Sequence, residues 1–352
     1  MRLLFITQAV DELDPVLGFV VGWLRAFSEE FPRIKAVCLR KGVFTLPQQV
    51  SVYSLGKERG GNKLRYSIRF LRYIWKTRRE YDAVLVHMNP EYILLGALLW
   101  KWYGKKVGLW YNHQAGGLRI RLAAFLADTI FYTSPFSFTA RFGNAVRMPV
   151  GIDTEIFQFD GRNLRETHPV ILSLGRLAPI KHIEVIIEAV RLLLDEGMKN
   201  MRLAIVGDAL PRDKSYFEKI KSMQQHSGHT ESIIIFAGEP ERKKVAQCFS
   251  SSVAYVNASP AGLFDKTVFE AMSCECIPLV SSKAFLELLP SQLFFKENDA
   301  TDLALRLREI LALSVPDRKK LGGELRRIVA AEHSLSLLVR KLYTVYENLL
   351  HR

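Results

Sequence analysis

Residues 258–282 read ASPAGLFDKTVFEAMSCECIPLVSS, and this segment decides how the second half of the chain folds. Its polar first part predicts a loop, Asp265 predicts a helix N-cap, and the apolar residues 277–280 predict a strand. Lys266 then lies in the first turn of the helix, at the positive end of the helix dipole. A cation at this place costs roughly 0.3 to 1 kcal/mol unless an anion offsets it. The simplest such anion is a phosphate.

A second segment, 170–181, has a similar arrangement and reads VILSLGRLAPIK. A strand is predicted to end at Gly175, and Pro179 is predicted to open a helix, because its missing N–H donor would be unpaired there anyway. Lys181 then falls within a first turn, and Arg176 offers planar donors beside it. Two helix starts with nearby cations predict a diphosphate ligand rather than a single phosphate.

Several short motifs in one order now point to a known family. They are Gly175-Arg176-Leu177 with Lys181, Ile205-Val206-Gly207-Asp208, Phe236-Ala237-Gly238, and Phe269-Glu270-Ala271-Met272 followed by residues 277–280. Together they resemble the C-terminal half of the retaining group-1 glycosyltransferases, strongly over 171–282 and more weakly elsewhere. The resemblance implies the α/β GT-B fold, in which two doubly wound Rossmann-like domains face each other across a cleft.

The rest of the chain alternates strand and helix patterns, as doubly wound parallel sheets do. Strands are predicted at 3–7, 35–39, 83–87, 107–111 and 129–132, and then at 170–174, 203–206, 232–236, 253–256 and 277–280. We predict an N-terminal acceptor-binding domain at 1–157, a polar linker at 158–168 and a nucleotide-sugar-binding domain at 169–332. The resemblance implies that a helix within 333–352 crosses back to the first domain.

The chemistry of the proposed donor site follows from its charges. A departing nucleoside diphosphate needs its growing negative charge neutralised, which Arg176, Lys181 and the amides of Lys266, Thr267 and Val268 can do without a metal. The side chain of Lys266 can reach a phosphate or pair with Asp265. We therefore expect no metal and no cofactor, only a nucleotide sugar as substrate.

Further roles are implied by the resemblance. Glu270 would accept the two ribose hydroxyls, and Gly238 with Glu239 would flank the nucleobase. Gly18 would let the backbone approach the donor phosphate, and His113 would reach the donor sugar. Simpler interpretations stay open: a tight turn at Gly18, a structural hydrogen bond at His113, and a solvated helix glutamate at Glu270.

One departure from the family pattern concerns a second carboxylate. Relatives carry a glutamate eight residues before the position of Glu270, in a loop that holds the sugar hydroxyls, whereas this chain has Gly262. Either Asp265 replaces the lost carboxylate, or the donor sugar differs, or transfer has been lost.

The main functional prediction is a retaining, metal-independent hexosyltransferase-like enzyme. The alternative is a catalytically silent GT-B protein that binds a nucleotide sugar or a partner enzyme. A dinucleotide-dependent enzyme lacks support, since no G-x-G-x-x-G follows the first strand.

Positive charge is concentrated in the first half of the chain. Residues 1–150 contain 22 Lys and Arg against 10 Asp and Glu, and so carry almost all of the net charge of +13. Residues 63–79 contain seven basic residues and no acidic one, interleaved with apolar residues at helical spacing. The candidate membrane or acceptor residues are Lys63, Arg65, Arg69, Arg72 and Lys76. The apolar stripe is Leu64, Ile68, Leu71, Ile74 and Trp75, with Tyr66, Phe70 and Tyr73 at its border.

Three interpretations of this helix are open. It is a solvated basic face whose apolar stripe packs on the sheet, or it lies on an anionic lipid surface. Nucleic acid is not expected, because no nucleic-acid-binding motif accompanies the charge. The resemblance favours the membrane, since family members that build lipid-linked glycans dock through the N-terminal domain. We therefore expect the acceptor to be a lipid-linked or membrane-proximal glycan.

Composition bounds the location. Cys38, Cys248, Cys274 and Cys276 lie in or beside apolar patterns and predict reduced thiols. No signal peptide is expected, and the longest apolar run, 92–100, is well short of the ~20 residues that span a bilayer. We expect a cytoplasmic protein that is soluble or lies at the inner face of the membrane.

Overall fold

The computed structural model contains two parallel β-sheets, one in each of two units, and describes residues 1–14, 16–161, 168–238 and 241–351. The first unit combines Met1–Gly151 with Leu335–Arg352, and the second is Ile152–Ser334. Most of the predicted linker, residues 162–167, lies outside the described residues. The α/β class and the two doubly wound sheets predicted from the sequence are confirmed.

Twelve strands occur in the described residues. They are β1 Leu3–Val10, β2 Ile34–Lys41, β3 Val50–Ser54, β4 Ala83–His87, β5 Lys106–Trp110, β6 Thr129–Tyr132, β7 Ala145–Arg147, β8 Val170–Leu174, β9 Arg202–Gly207, β10 Ile233–Ala237, β11 Ala254–Asn257 and β12 Ile277–Val280. The first sheet has the order β3-β2-β1-β4-β5-β6-β7, and the second β10-β9-β8-β11-β12.

Two strands of the first sheet were not predicted. β3 and β7 are its two edges, and each pairs with only one neighbour, β2 and β6 respectively. β7 has three residues, and β3 is half polar and only partly buried. Edge strands are short and face water on one side, so they lack the apolar run that marks a central parallel strand.

Eleven α-helices connect and cover the strands in the described ranges. They are α1 Phe19–Glu30, α2 Lys63–Lys76, α3 Pro90–Trp102, α4 Leu118–Leu126, α5 Ile183–Asp195, α6 Lys214–Gln225, α7 Arg242–Ser250, α8 Lys266–Ser273, α9 Ala300–Ala312, α10 Val315–Ile328 and α11 Leu335–Leu350. Asp265 is the predicted N-cap of α8: its side chain accepts a hydrogen bond from the Thr267 amide, which confirms that helix start.

Helices cover both faces of the first sheet. Successive side chains of a strand point to opposite faces, so Leu3 and Phe5 belong to one core and Leu4 and Ile6 to the other. The first core is closed by α1 and α11, and the second by α2, α3 and α4. Burying each large apolar side chain contributes about 1.5 to 3 kcal/mol, so these two cores hold the unit together.

Gly207, at the end of β9, permits a close backbone approach beside the predicted donor site. Its φ is 150°, and a Cβ there would lie 2.0 Å from the carbonyl oxygen of Gly175. The Gly175 amide donates a hydrogen bond to the Val206 carbonyl at 3.0 Å, which holds the end of β8 close to the end of β9. The loop that carries Arg176 is therefore positioned by a glycine on the neighbouring strand.

We expect Gly207→Ala to lower the free energy of unfolding by about 4 kcal/mol, because backbone strain and a clash with main-chain atoms add. Gly197→Ala is the matched control. Gly197 also has a positive φ, of 101°, but a Cβ there meets no described atom within 4 Å, so its loss should be only about 2 kcal/mol. Urea unfolding monitored by circular dichroism measures both. Equal losses in the two variants would contradict the steric argument.

Candidate functional site

A depression opens in the second unit at the carboxyl ends of β8 and β11. The strand order of the sheet reverses between these two strands, and ligands of doubly wound sheets bind at such a reversal. The lining residues come from both strands and the loops that follow them: Ser173, Leu174, Gly175, Arg176, Lys181, Ile183, Tyr255, Val256, Asn257 and Ala258. The fold thus brings the predicted cations Arg176 and Lys181 to one place.

Arg176 enters this depression from the loop after β8. Gly175 has a φ of 135°, so the chain turns sharply there and Arg176 follows at the turn. The Arg176 Nε atom is buried and has no hydrogen-bond partner among the described residues. A buried guanidinium N–H without an acceptor is costly, so this atom is suited to an anionic ligand.

Lys181 lies in a short 3₁₀ turn, Pro179–Lys181, and not in the first turn of a helix as predicted. His182 follows with a φ of 44°, which interrupts the helical path, and α5 begins only at Ile183. Such a left-handed backbone favours glycine, so His182 holds a conformation that other residues rarely adopt. The Lys181 side chain ion-pairs with Asp265, and its Nζ lies 3.4 Å from Ser259 Oγ.

Asp265 therefore serves two purposes. It caps α8, and its Oδ2 also accepts a hydrogen bond from Asn257 Nδ2 at 3.0 Å. Burial alone would raise the pKa of Asp265, but the charge of Lys181 and hydrogen bonds from Lys181, Asn257 and Thr267 lower it to about 2. The carboxylate is ionised at neutral pH and holds Lys181 at the mouth of the depression.

The first turn of α8 is partly occupied by its own cap. The Thr267 amide lies 3.5 Å from Asp265 Oδ1, and the Val268 amide donates to the Asp265 carbonyl at 3.3 Å. Thr267 Oγ1 also hydrogen-bonds the Tyr255 hydroxyl at 2.7 Å. An anion bound to these predicted amides would thus compete with the capping interactions.

Lys266 belongs to a charge cluster with Glu270 and Arg242. Burial lowers the pKa of Lys266, although the Glu270 carboxylate opposes this effect, and burial raises the pKa of Glu270 against the charges of Lys266 and Arg242. Arg242 Nη2 lies 3.9 Å from Glu270 Oε1. Glu270 is only 9% exposed, so its interpretation as a solvated helix glutamate is wrong.

The family comparison matches the unit that contains this site. A model of the glycosyl transferases group 1 family covers residues 155–327, nearly all of the second unit. The second unit belongs to the group 1 glycosyltransferases. No curated protein matches the chain.

Solved structures similar to this protein extend over the whole chain. HepE from Anabaena, in complex with UDP and glucose, is 15% identical with a TM-score of 0.79, covering 99% of this chain and 100% of that chain. Sucrose-phosphate synthase from Thermosynechococcus elongatus is 17% identical with a TM-score of 0.78, covering 99% of each chain. The catalytic domain of starch synthase IV from Arabidopsis thaliana, bound to ADP and acarbose, is 12% identical with a TM-score of 0.74, covering 100% and 99%. At such low identities the TM-scores show a shared fold, and the predicted GT-B class is confirmed.

Two predicted site residues lie in the first unit. Gly18 precedes α1 with a φ of −55°, and a Cβ there would lie 2.9 Å from the carbonyl oxygens of Glu12 and Asp14. It therefore allows close packing of the loop after β1. His113 follows β5, is exposed, and its Nδ1 accepts a hydrogen bond from the Ala115 amide at 3.0 Å.

The predicted nucleobase loop is described only in part. Gly238 follows β10 with a φ of 117°, a conformation that favours glycine. Its amide donates to the Gly207 carbonyl at 3.1 Å. Glu239 lies outside the described residues, so its predicted role stays a prediction.

The predicted basic helix forms as α2, but a different side of it packs on the sheet. Phe70 and Ile74 are buried against the sheet, and Tyr73 stacks on Tyr53 with ring centroids 4.2 Å apart. The rest of the predicted apolar stripe is exposed: Leu64, Ile68, Leu71 and Trp75. The aromatic side, predicted to be the border of the stripe, is the packed side, because its large rings bury more area. The five candidate residues Lys63, Arg65, Arg69, Arg72 and Lys76 are all exposed, and Arg69 Nη1 donates to the Leu55 carbonyl at 2.7 Å.

Two further features of the described residues concern ions and membranes. No group of three or more His, Cys, Asp or Glu side chains in the described ranges is arranged to hold a metal ion. Among the helices described, none has both the length and the apolar character needed to cross a membrane.

Sequence reasoning missed three polar residues of the site. Asn257, the last residue of β11, contacts Asp265, and Ser259, two residues later, contacts Lys181. Arg242 begins α7 beside Glu270. A polar residue at the carboxyl end of a predicted strand is a usable signal for Asn257 and Ser259. Arg242 had no such signal, because only the packing of α7 on α8 brings it to Glu270.

Proposed function

We propose that this protein transfers a sugar from a nucleoside-diphosphate donor to a glycan acceptor. One observation carries the proposal: at the reversal point of the second sheet, Lys181 lines the same depression as Arg176, whose buried Nε has no acceptor in the part of the chain that the structure describes. Two cations at such a point suit a diphosphate. The group 1 family match of this unit supports the assignment.

The proposed reaction breaks the bond between the sugar C1 and the diphosphate oxygen and forms a bond from C1 to an acceptor oxygen. Arg176 and Lys181 would neutralise the charge that develops on the leaving diphosphate, which makes a metal ion unnecessary. The arriving diphosphate would compete with the Asp265 carboxylate for Lys181. Departure and attack on one face retain the configuration at C1, and the leaving phosphate takes the proton of the acceptor hydroxyl.

Glu270 is assigned to the donor's ribose. It is buried one turn into α8, beside Lys266 and Arg242, where a carboxylate can accept two hydroxyl hydrogen bonds without competition from water. Structures similar to this chain contain UDP with glucose or ADP, which supports a nucleotide donor for this protein. We propose a hexose as the transferred sugar and leave the base to experiment.

The acceptor is proposed to be a lipid-linked or membrane-proximal glycan held by the first unit. The support is electrostatic, since almost all of the net positive charge lies in residues 1–150. Lipid-linked glycans carry phosphates at an anionic surface, which attracts such a domain. The protein would then work at the inner face of the membrane.

A catalytically silent nucleotide-sugar-binding protein is the second candidate. Gly262, with a φ of 88°, stands where the family pattern has a carboxylate for the sugar. Asp265, three residues later in the chain, is engaged by Lys181 and Asn257. Binding without transfer would follow if nothing replaces the missing carboxylate.

Isothermal titration calorimetry with UDP, GDP and ADP tests the proposal, followed by hydrolysis of the matching nucleotide sugars. We expect one nucleotide to bind in the micromolar range and its sugar conjugate to be hydrolysed slowly without acceptor. Binding without any hydrolysis or transfer would favour the silent protein. Absence of binding by all three nucleotides would overturn the diphosphate assignment of Arg176 and Lys181.

A further inference from the structure

Three helices of the first unit expose an unusual amount of apolar surface. Ten large apolar side chains on them face solvent, and we call this set the outer face of α2–α4: Leu64, Ile68, Leu71 and Trp75; Leu95, Leu98 and Trp102; Leu118, Leu122 and Phe125. Within each helix the spacing is three or four residues, which places the side chains along one side. Trp102 is 86% exposed and Phe125 is 82% exposed.

This exposure is specific to these three helices. Within the described ranges, the other eight α-helices expose only Leu305 and Leu350 among their large apolar residues. The three helices also lie side by side, because α3 contacts both α2 and α4. A contiguous apolar surface on a folded unit marks a place where something else binds.

The opposite sides of the same helices are already occupied. Phe70 and Ile74 of α2, Ile93 and Trp100 of α3, and Ala123 of α4 are fully buried in the core on one side of the sheet. The outer face is therefore not a core surface turned outward by a wrong helix orientation. Each helix is apolar on two sides, and only one of these is covered within the unit.

Charge identifies what covers the second side. The sequences of the three helices contain eight basic residues and a single acidic one, Glu91. In the described part of the chain, Lys63, Arg65, Arg72 and Lys76 are exposed and form no ion pair. An apolar face with such exposed cations on its α2 helix matches an interface of acyl chains and anionic headgroups.

We propose that the outer face of α2–α4 binds the surface of a bilayer that contains anionic lipids. Trp75, Trp102 and Phe125 would enter the headgroup region, while the Lys and Arg side chains contact lipid phosphates. A second copy of the chain fits less well, because two faces with this excess of positive charge repel each other. The inference deepens the proposed function by naming the surface at which its acceptor is met, but it stands on the first unit alone.

Vesicle flotation tests the apolar part of the proposal. Wild-type protein should float with phosphatidylcholine vesicles that contain phosphatidylglycerol, and less so as salt is raised. The variant Leu98→Ser/Trp102→Ser/Phe125→Ser should bind at least roughly tenfold more weakly, because each side chain contributes through its buried apolar area. The control Leu286→Ser/Leu305→Ser/Leu350→Ser removes three exposed apolar residues elsewhere and should bind as wild type does.

Charge reversal tests the electrostatic part. Arg65→Glu/Arg72→Glu/Lys76→Glu should abolish the preference for phosphatidylglycerol, whereas Lys199→Glu/Lys319→Glu/Lys320→Glu, in the second unit, should keep it. Sedimentation velocity of the same proteins reports self-association. Absence of vesicle binding, vesicle binding unchanged in the serine variant, or a dimer that the serine variant dissociates would each overturn the proposal.

Nucleotide binding separates this proposal from the previous one. The serine variant should bind the nucleoside diphosphate as wild type does, because none of its three residues lies in the second unit. Lost vesicle binding with intact nucleotide binding would overturn only the membrane surface. Lost nucleotide binding in the wild-type protein, with vesicle binding intact, would overturn only the donor site.

Discussion

Arg176→Ala is expected to reduce turnover of the nucleotide-sugar donor by roughly 10²–10³-fold, the loss typical of removing one group that stabilises developing negative charge. Its Nε is buried without a partner among the described residues, so the unbound protein loses no hydrogen bond from that atom. The melting temperature should therefore change little. Steady-state hydrolysis of the donor and calorimetry with the nucleoside diphosphate measure the effect.

Lys181→Ala should cause a loss of turnover of the same order but should also lower the melting temperature. The reason is that Asp265 would lose the cation that lowers its pKa and would stay buried with its charge. Arg202→Ala and Lys199→Ala are matched controls. Arg202 begins β9 and Lys199 lies just before it, at the amino ends of the strands, whereas the depression lies at their carboxyl ends. Normal turnover in Arg176→Ala and Lys181→Ala would remove the diphosphate assignment.

Glu270→Gln is expected to remove the discrimination between a nucleoside diphosphate and its 2′-deoxy form. In the wild-type protein, a buried carboxylate that accepts the ribose hydroxyl should favour the ribonucleotide by roughly 10–100-fold, the range for a hydrogen bond to a charged group. The amide accepts more weakly and cannot balance Lys266 and Arg242. Calorimetry with both nucleotides on wild-type protein and on Glu270→Gln gives the ratio of the two dissociation constants for each protein.

Glu275→Gln is the control for this experiment, because Glu275 lies just beyond the end of α8 and outside the buried cluster. It should keep the full preference for the ribonucleotide. The ratio of the two dissociation constants is insensitive to a partial loss of folded protein, so reduced stability of Glu270→Gln does not obscure the result. A ratio unchanged from wild type would show that Glu270 does not contact the ribose.

Central strands and caps were predictable because they depend on local sequence. β4, β6, β8 and β12 have the bounds expected from their apolar runs, and Asp265 caps α8 as its position before the helix suggested. Edge strands were not predictable, since a three-residue segment such as β7 gains its structure from pairing with β6. The same applies to His182, whose left-handed backbone ends the turn that holds Lys181.

The orientation of α2 shows a different limit. Its sequence contains two apolar sides, and periodicity alone could not decide which of them meets the sheet. The structure packs Phe70 and Ile74 inward and leaves Leu64, Ile68, Leu71 and Trp75 outside. That choice depends on which side chains fit between α3 and the strands, a matter of packing in three dimensions.

By itself, the sequence determined the alternation of strand and helix and the excess of positive charge in the first half. It also singled out Arg176, Lys181 and Glu270 as candidate donor-site residues. Each of these is a property of residue order and residue type. Only the tertiary structure decided that Lys181 pairs with Asp265, 84 residues later in the chain, and that Arg242 joins Lys266 and Glu270. The physical reason is that the energy of an ion pair depends on distance and burial, which are set when β8 and β11 come together in one sheet.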